Sequence, residues 1–312
     1  MHTPDAHPAI SGIHHITAVT TSAARNTHFY TRVLGLRLVK KTVNFDDPFT
    51  YHLYYGDQTG RPGTIITFFP WEQLPQGKSG LGMVSAIAFA VPRRSIDHWT
   101  QRLEGYGIAV AIESRFNKPV IRFADPHGLP LELIGAPPNC EPDGRAPNPQ
   151  TDILGFHSAT LLLDRIDATQ SIIVDGMGMT PVQQEGARYR FAMQDEIAPG
   201  HLLDVVVDPT ADGGQSGGGT VHHIAFRTRD NREQLSWRER IKRLGLSVTD
   251  VRDRTYFQSI YFNEPGGVLF EIATDPPGFT VDEDLHDLGT GLKLPARYEP
   301  LRERIEERLP PL

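Results

Sequence analysis

Two His-His pairs and one glutamate are the residues of this chain best suited to metal chemistry. His14-His15 opens an apolar, β-prone run near the start of the chain, and His222-His223 opens a similar run 208 residues later. Glu271 lies within a third apolar run. With 13 His among 312 residues, chance gives roughly half a His-His pair, so the shared setting of the two pairs is the informative feature. Two imidazoles and a carboxylate carried on strands are typical of an open-sided transition-metal site, which points to a non-haem Fe(II) enzyme that uses oxygen.

The identity of the metal is constrained by the type of ligand. Two neutral imidazoles and one carboxylate leave a divalent ion with a net charge of about +1 and roughly three open positions, enough for a phenolate and dioxygen. Structural zinc sites are closed and commonly use thiolates, whereas this chain has one cysteine, Cys140. Magnesium prefers more oxygen ligands. The pattern therefore favours Fe(II), and then Mn(II).

The segments that must position these residues form an internal repeat. Each copy has the pattern of a strand, an amphipathic helix and three further strands. The four copies cover residues 12–70, 82–135, 153–209 and 220–275. Two such β-α-β-β-β modules normally wrap into one cupped, eight-stranded mixed sheet. The sequence therefore predicts an α+β fold with two such sheets.

The connections between modules are polar or rich in proline and glycine. Residues 137–150 have the composition of a linker, which predicts an N-terminal half at 1–136 and a C-terminal half at 151–280. A tail with one helix follows at 281–312. The glycine-rich run 213–219 lacks the Gly-Lys-Ser/Thr ending of a phosphate loop, so we interpret it as a flexible connection.

The order in which the modules pair decides whether the candidate ligands meet. Equivalent first-strand positions and the available last-strand carboxylates are His15, Ala86, Ser158, His223, Glu132 and Glu271, and modules one and three show no aligned carboxylate. Pairing in chain order would give each sheet one histidine and one glutamate. Pairing module one with four, and two with three, brings His15, His223 and Glu271 together and leaves Ala86, Ser158 and Glu132 in an empty cup. We therefore predict the second pairing.

The bulk composition excludes several classes of protein. The net charge of −7 and the absence of a Lys/Arg-rich run argue against a nucleic-acid or anionic-membrane surface. No run approaches about 18 apolar residues, and no signal peptide is recognisable at the N-terminus. A single cysteine fits a reducing compartment. These features predict a cytoplasmic protein without nucleic-acid or membrane partners, and they leave homo-oligomerisation open.

Three segments resemble the vicinal-oxygen-chelate superfamily, and within it the dioxygenases that cleave para-hydroquinone rings. These segments are residues 12–17, 221–225 and 254–279. The resemblance implies that the second histidine of each pair binds iron, with Glu271 completing the set. It also implies a substrate pocket lined by residues that this chain retains, namely His14, Thr17, His222, Arg254 and Tyr261.

The pocket roles have structural alternatives. Because neighbouring side chains on a strand point to opposite faces, His14 and His222 reach the pocket only if a bulge or twist turns them inward. Arg254 could instead form a salt bridge with Asp250 or Asp253. His157 aligns with His14 and is interpreted as structural. We assign the same role, or plain solvent exposure, to His52, His98 and His127, which show no partner pattern.

The sequence thus favours an Fe(II)-dependent ring-cleaving dioxygenase of the extradiol type, acting on a hydroquinone or catechol with O2. One rival is a glyoxalase-type isomerase or lyase, which commonly uses four protein ligands, often two Glu, with Zn or Ni. The other rival is a metal-free protein that binds small aromatic compounds.

Overall fold

The computed structural model describes residues 9–136, 148, 151–194 and 199–312, and within them the chain forms the four modules that the repeat predicts. The first two modules contain strands β1 Ile13–Thr20, β2 Arg37–Val43, β3 Tyr51–Gly56, β4 Ile65–Pro70, β5 Met83–Val91, β6 Ala111–Arg115, β7 Lys118–Ala124 and β8 Pro130–Gly135. The last two contain β9 Gly155–Leu163, β10 Thr180–Glu185, β11 Arg188–Ala192, β12 Leu202–Val207, β13 Val221–Thr228, β14 Arg252–Asp253, β15 Gln258–Asn263 and β16 Leu269–Thr274.

One helix follows the first strand of each module. The helices are α1 Ala23–His28, α2 Ile96–Gly105, α3 Asp167–Ser171 and α4 Asn231–Arg243, and α1 and α3 continue as π-helical turns, Phe29–Val33 and Ile172–Gly176. Helix α4 illustrates the local signals, since the Asp230 side chain accepts the backbone N–H of Glu233 at its start. Trp237 and Ile241, four residues apart on one face, are buried.

The sixteen strands form two eight-stranded mixed sheets. The first sheet has the order β14-β15-β16-β13-β1-β4-β3-β2, and the second has β10-β11-β12-β9-β5-β8-β7-β6. Module one is therefore paired with module four, and module two with module three, as predicted. At the centre of the first sheet β1 and β13 run antiparallel, and each pairs in parallel with the last strand of its own module. This arrangement brings the two His-His pairs side by side.

A β-bulge interrupts the pairing at each His-His pair. Between β1 and β13 the register steps over His14 at one end and over His222 at the other. The central pair of the second sheet, β5 and β9, has the same irregularities at Ser85 and His157. A bulge re-aims the side chains beside it. All four first strands contain such a bulge, but only in the first sheet does it present two histidines.

Two connections between modules pair with each other above the sheets. The backbone of Gly77 donates to the Gly218 carbonyl, and Lys78 and Gln215 exchange two hydrogen bonds. A Cβ atom added at Gly217 would lie 2.5 Å from the Pro75 carbonyl oxygen. The glycine-rich run, predicted as a flexible connection, is thus hydrogen-bonded, and its glycines permit close backbone approach.

The tail packs against β2, an edge strand of the first sheet. Its helix α5 spans Arg302–Glu306, and Ile305 and Leu309 pack against Val43. Lys40, which has no exposed surface, pairs with both Asp282 and Glu283. The predicted linker at 137–150, including Cys140, lies outside the described residues except for Asn148. No helix among the described residues is long and apolar enough to cross a bilayer.

Candidate metal centre

His15, His223 and Glu271 converge at the centre of the first sheet. His223 Nε2 lies 2.9 Å from Glu271 Oε2, His15 Nε2 lies 3.4 Å from the same oxygen, and the two nitrogens are 3.4 Å apart. All three side chains are buried. The three predicted ligands therefore meet, which module pairing in chain order would have prevented.

The first histidine of each pair orients the second. Nδ1 of His14 lies 2.9 Å from Nδ1 of His15, and Nδ1 of His222 lies 2.8 Å from Nδ1 of His223. His14 also hydrogen-bonds the backbone of Thr274, which fixes its ring. If the Nδ1 atoms of His15 and His223 carry the protons, both Nε2 atoms present lone pairs to the centre. Hydrogen bonding of this kind sets the tautomer of metal-binding histidines in general.

The charges at the centre follow from burial and from the neighbouring groups. Burial alone would raise the pKa of the Glu271 carboxyl, but the adjacent His15 and His223 hold it well below its usual range. Burial lowers the pKa of His223, against the influence of Glu271. The Ser259 hydroxyl donates to Glu271 Oε1. One carboxylate oxygen is therefore fixed by a hydrogen bond, while the other faces the two histidines.

This arrangement fits a divalent cation. If both histidines carry their protons on Nδ1, the buried Glu271 Oε2 has no hydrogen-bond donor and three lone pairs point at one another. Metal–ligand bonds of about 2.1 Å place neighbouring ligands on one octahedral face about 3.0 Å apart and tetrahedral ligands about 3.4 Å apart. The observed separations of 2.9 to 3.4 Å lie in that range. A cation held by His15, His223 and Glu271 would satisfy all three atoms at once.

A cavity of about 360 Å³ opens beside the three residues. Its described lining is mostly aromatic and includes Phe69, Trp71, Phe257 and Tyr261. The ring of Phe257 packs 4.9 Å from that of His15, and Tyr261 packs 5.8 Å from His223. The cavity is large enough for one substituted aromatic ring, because an apolar cavity of about 150 Å³ holds benzene.

Arg254 and Tyr261 both line this cavity, as the resemblance implies. Arg254 Nε donates to the Tyr261 hydroxyl oxygen over 3.2 Å, and Arg254 NH1 lies 3.0 Å from Asp46. The alternative partners expected for Arg254 were Asp250 and Asp253, but Asp250 instead pairs with Arg238. Burial raises the pKa of the Tyr261 hydroxyl well above its usual range. Tyr261 is therefore a neutral hydrogen-bond donor beside a fixed positive charge.

The three remaining predicted pocket residues occupy different places. His222 lines the cavity and is exposed, and its pKa falls to about 4 because the surrounding protein desolvates its charged form and His223 lies beside it. His14 lies behind His15, outside the described cavity lining. Thr17 is buried, and its hydroxyl bonds that of Thr67 over 2.8 Å. These positions give His14 and Thr17 supporting contacts to the centre, whereas His222 faces the cavity.

Sequence reasoning missed a hydrogen-bond chain along the cavity wall. His52 was expected to be structural or exposed, yet it lines the cavity, with Nε2 2.8 Å from the Thr67 hydroxyl and Nδ1 2.8 Å from the Tyr54 hydroxyl. The chain thus runs from Tyr54 through His52 and Thr67 to Thr17. Burial, followed by the nearby His15 and His223, lowers the pKa of His52 well below its usual value. Alternation along β3 was the available signal, since it places His52 and Tyr54 on one face.

Thr67 occupies in module one the position that Glu271 occupies in module four. On β4 it pairs with Thr17, two residues after His15, just as Glu271 on β16 pairs with Ala225, two residues after His223. Thr67 therefore stands where a fourth ligand from module one would stand. A neutral hydroxyl already bonded to Thr17 and His52 leaves the centre with three strong ligands.

The equivalent place in the second sheet contains ion pairs. Glu132 binds Arg115 through two hydrogen bonds of 2.5 and 2.7 Å. Asp204 binds Arg190 in the same way, at 2.7 and 2.9 Å, and also pairs with Arg188. The expectation that module three has no aligned carboxylate is thus wrong, because Asp204 pairs with Thr160, two residues after Ser158, and so takes the place equivalent to Glu271. Guanidinium groups neutralise both carboxylates there.

Histidine 157 completes the comparison between the two sheets. Its Nδ1 lies 3.1 Å from the hydroxyl of Ser158, which stands where His15 and His223 stand in the first sheet. Ala86 takes the other first-strand position. Within the described residues, the one group of three or more His, Cys, Asp and Glu side chains able to hold a metal ion is His15, His223 and Glu271.

Comparisons with known proteins agree with this architecture. The family model for the Glyoxalase/Bleomycin resistance protein/Dioxygenase superfamily matches residues 12–133 and 152–272. The "Putative ring-cleaving dioxygenase MhqO" of Bacillus subtilis is 46% identical over 96% of this chain and 96% of its own length. The chlorohydroquinone/hydroquinone 1,2-dioxygenase of Sphingobium indicum is 34% identical over 95% of each chain.

Solved structures show the same relationship. The crystal structure of a "putative dioxygenase" from Bacillus subtilis matches with a TM-score of 0.93 and 44% identity over 98% of both chains. Glyoxalase I from Zea mays matches with a TM-score of 0.60 and 15% identity, over 85% of this chain and 92% of that one, which shows the fold alone. The fold, the module pairing and these similarities place this chain in the glyoxalase/bleomycin resistance protein/dioxygenase superfamily, among relatives named as ring-cleaving dioxygenases.

Proposed function

We propose that this protein is an Fe(II)-dependent dioxygenase that opens the ring of a hydroquinone or catechol with O2, with His15, His223 and Glu271 as the metal ligands. The observation that carries the proposal is a face of three ligands, with a neutral threonine in place of a fourth, opening onto an aromatic cavity. Mn(II) is the second candidate ion, because the same ligands suit it. The similarity to a hydroquinone 1,2-dioxygenase supports the aromatic substrate.

When bound, the ion supplies adjacent coordination positions for a substrate oxygen and for dioxygen, together with the electron transfer that activates O2. The protein positions the ring by packing it against Phe257, Phe69 and Trp71. Arg254 places a permanent positive charge near the ring, where it stabilises a phenolate or a developing oxyanion. The Tyr261 hydroxyl stays protonated and donates a hydrogen bond to the same substrate oxygen.

His222 supplies a directed donor on the other side of the cavity. If His223 Nδ1–H donates to His222 Nδ1, His222 must carry its proton on Nε2, because a neutral imidazole holds one proton. That N–H can donate to an oxygen atom in the cavity. His14 makes the corresponding contact with His15 but lies outside the described lining, so its proposed role is to orient the ligand.

The two rival functions meet specific obstacles. A glyoxalase-type centre with a second glutamate would need a carboxylate where Thr67 stands. With His15 and His223 protonated on Nδ1, a metal-free binding protein would leave Glu271 Oε2 buried without a hydrogen bond beside two histidine nitrogens. Three converging lone pairs without a cation are unfavourable in a buried site. Both observations favour a metal-dependent enzyme with open coordination positions.

Oxygen uptake by protein loaded with Fe(II) under anaerobic conditions tests the proposal against a panel of hydroquinones and catechols. We expect uptake with at least one ring, and its loss in His223→Ala and Glu271→Ala. His98→Ala is the matched control, since His98 is an exposed histidine on α2 far from the centre in the fold. Full iron occupancy without uptake on any ring would refute the dioxygenase assignment and favour an isomerase or a binding protein.

A further inference from the structure

A second cavity lies next to the metal centre. It also has a volume of about 360 Å³. The two cavities share Trp71, His222, His223 and Leu269 in their walls. They are therefore neighbouring chambers, separated by side chains of the site itself.

The second chamber is apolar and closely built. Its walls include Val19, Val84, Val221 and Val268, and its described lining contains no Asp, Glu, Lys or Arg. The paired connections between modules contribute its roof through Gly214, Ser216 and Gly217 on one side and residues 81–83 on the other. A Cβ atom at Gly214 would clash with the Met83 side chain. The backbone at Gly214 can therefore pack this closely on Met83 only because the residue is a glycine.

The boundary between the chambers is formed by aromatic rings. The ring centroids of Trp71 and His222 lie 6.1 Å apart, and those of Phe69 and His222 lie 5.7 Å apart. His222 is exposed and lines both chambers. The first chamber therefore adjoins the apolar second chamber at His222.

The volumes separate the tasks of the two chambers. The first, at about 360 Å³, already exceeds the space that one benzene-sized ring requires, which is about 150 Å³. The second is thus not needed for the ring or for the two hydroxyl groups. Its lack of charged side chains and its valine walls suit an uncharged, apolar group attached to the ring.

We propose that this second chamber binds the apolar substituent of the aromatic diol, an alkyl group or a halogen, and so determines which ring the enzyme prefers. This inference rests on the proposed function. It assigns a role in specificity to Met83, Val84 and Val268, which line the second chamber and not the first. The ring occupies the first chamber, and its substituent extends into the second across the boundary that the two chambers share.

Met83 offers the sharpest test, because it lines the second chamber and not the first. Met83→Trp fills the chamber, Met83→Ala enlarges it, and Leu235→Trp on the exposed face of α4 is the control. We would compare kcat/KM for tert-butylhydroquinone with that for unsubstituted hydroquinone, and measure anaerobic binding of both by calorimetry on Mn(II)-loaded protein. One methylene in an apolar pocket changes specificity by about 10- to 200-fold. Met83→Trp should thus lower the preference for the substituted ring at least about 10-fold, Met83→Ala should preserve or increase it, and Leu235→Trp should leave it unchanged.

The outcomes separate the two proposals. Turnover by the wild type with equal preference ratios in both Met83 variants would overturn the chamber and leave the dioxygenase standing. Binding without turnover would overturn the dioxygenase, and the binding ratios would still decide the chamber. If neither hydroquinone binds, both proposals are overturned. Thermal unfolding of each variant identifies a misfolded Met83→Trp, in which case Met83→Ala and Val268→Phe decide the ratio.

Discussion

Two glutamates in equivalent places should respond in opposite ways to the same substitution. Glu271 and Glu132 each lie on the last strand of their module. They occupy the same register against the first strand, where their partners are Ala225 and Ala88. Glu271 faces two histidines, whereas Glu132 faces Arg115. We expect Glu271→Gln to weaken metal binding about 100-fold and Glu132→Gln to destabilise the fold while leaving metal binding intact.

The size of each effect follows from burial. The side chains of Arg115 and Glu132 are 7% and 3% exposed, so solvent screens their attraction very little. Removing one member of such a pair leaves a buried charge without compensation, which costs about 3–5 kcal/mol. At the metal centre, an ion at 100 times its Kd adds about 2.7 kcal/mol to the free energy of unfolding. A 100-fold loss of affinity in Glu271→Gln would reduce that gain to about 0.4 kcal/mol.

Urea unfolding with and without Mn(II) measures both quantities in one assay, and metal analysis gives the stoichiometry. The matched control is Glu113→Gln on the β6–β7 hairpin, where Glu113 and Arg122 are 44% and 50% exposed and their pair contributes at most about 1 kcal/mol. Loss of metal from Glu132→Gln, or full Mn(II) stabilisation of Glu271→Gln, would refute the assignment of one metal centre and one ion-paired counterpart.

Three further substitutions test individual contacts. Ser259→Ala removes the donor to Glu271 Oε1 and should weaken metal affinity about 10- to 100-fold in competition with a chromogenic chelator; unchanged affinity would contradict the orienting role. Arg254→Met should lower kcat/KM about 100- to 1000-fold with metal content unchanged, and a parallel loss of metal would show that Arg254 acts on the centre instead. Burial raises the pKa of Asp125 from 3.8 to about 6, so its ionisation destabilises the folded state increasingly as the pH rises from about 4 to about 6. Wild type should therefore lose up to about 3 kcal/mol relative to Asp125→Asn between pH 4 and pH 7 in urea unfolding, and identical pH profiles would disprove this.

The module pattern and the ligand set could be predicted because they depend on few variables. Once the four modules were recognised, only the pairing of module one with module four gave two histidines and a glutamate on one face. Because side chains alternate along a strand, His222 could face the cavity only if a bulge or twist turned it inward. The register of β1 and β13 contains such a bulge.

The contacts between distant strands could not be predicted in the same way. His52 is visible as a candidate only when β3 is known to flank β4, since its partner Thr67 is 15 residues away on the next strand. Asp46 meets Arg254 across 208 positions. Asp204 was not recognised as an aligned carboxylate, because the rest of its strand is apolar and gives no clue to the register. A shift of one residue in register would turn the Asp204 side chain to the other face.

The two sheets show one requirement met by two kinds of cation. Each cup collects carboxylates in a buried interior, where an unpaired negative charge is costly. In the second cup, Arg115 and Arg190 supply the compensation through fixed bidentate hydrogen bonds, and nothing can bind there without displacing them. Among the residues that the structure describes, no guanidinium pairs with Glu271 in the first cup, and the histidines beside it have their Nε2 atoms directed toward it. Under the proposed function an exchangeable cation supplies the compensating charge in the first cup, and its open positions are what chemistry on a small ligand needs.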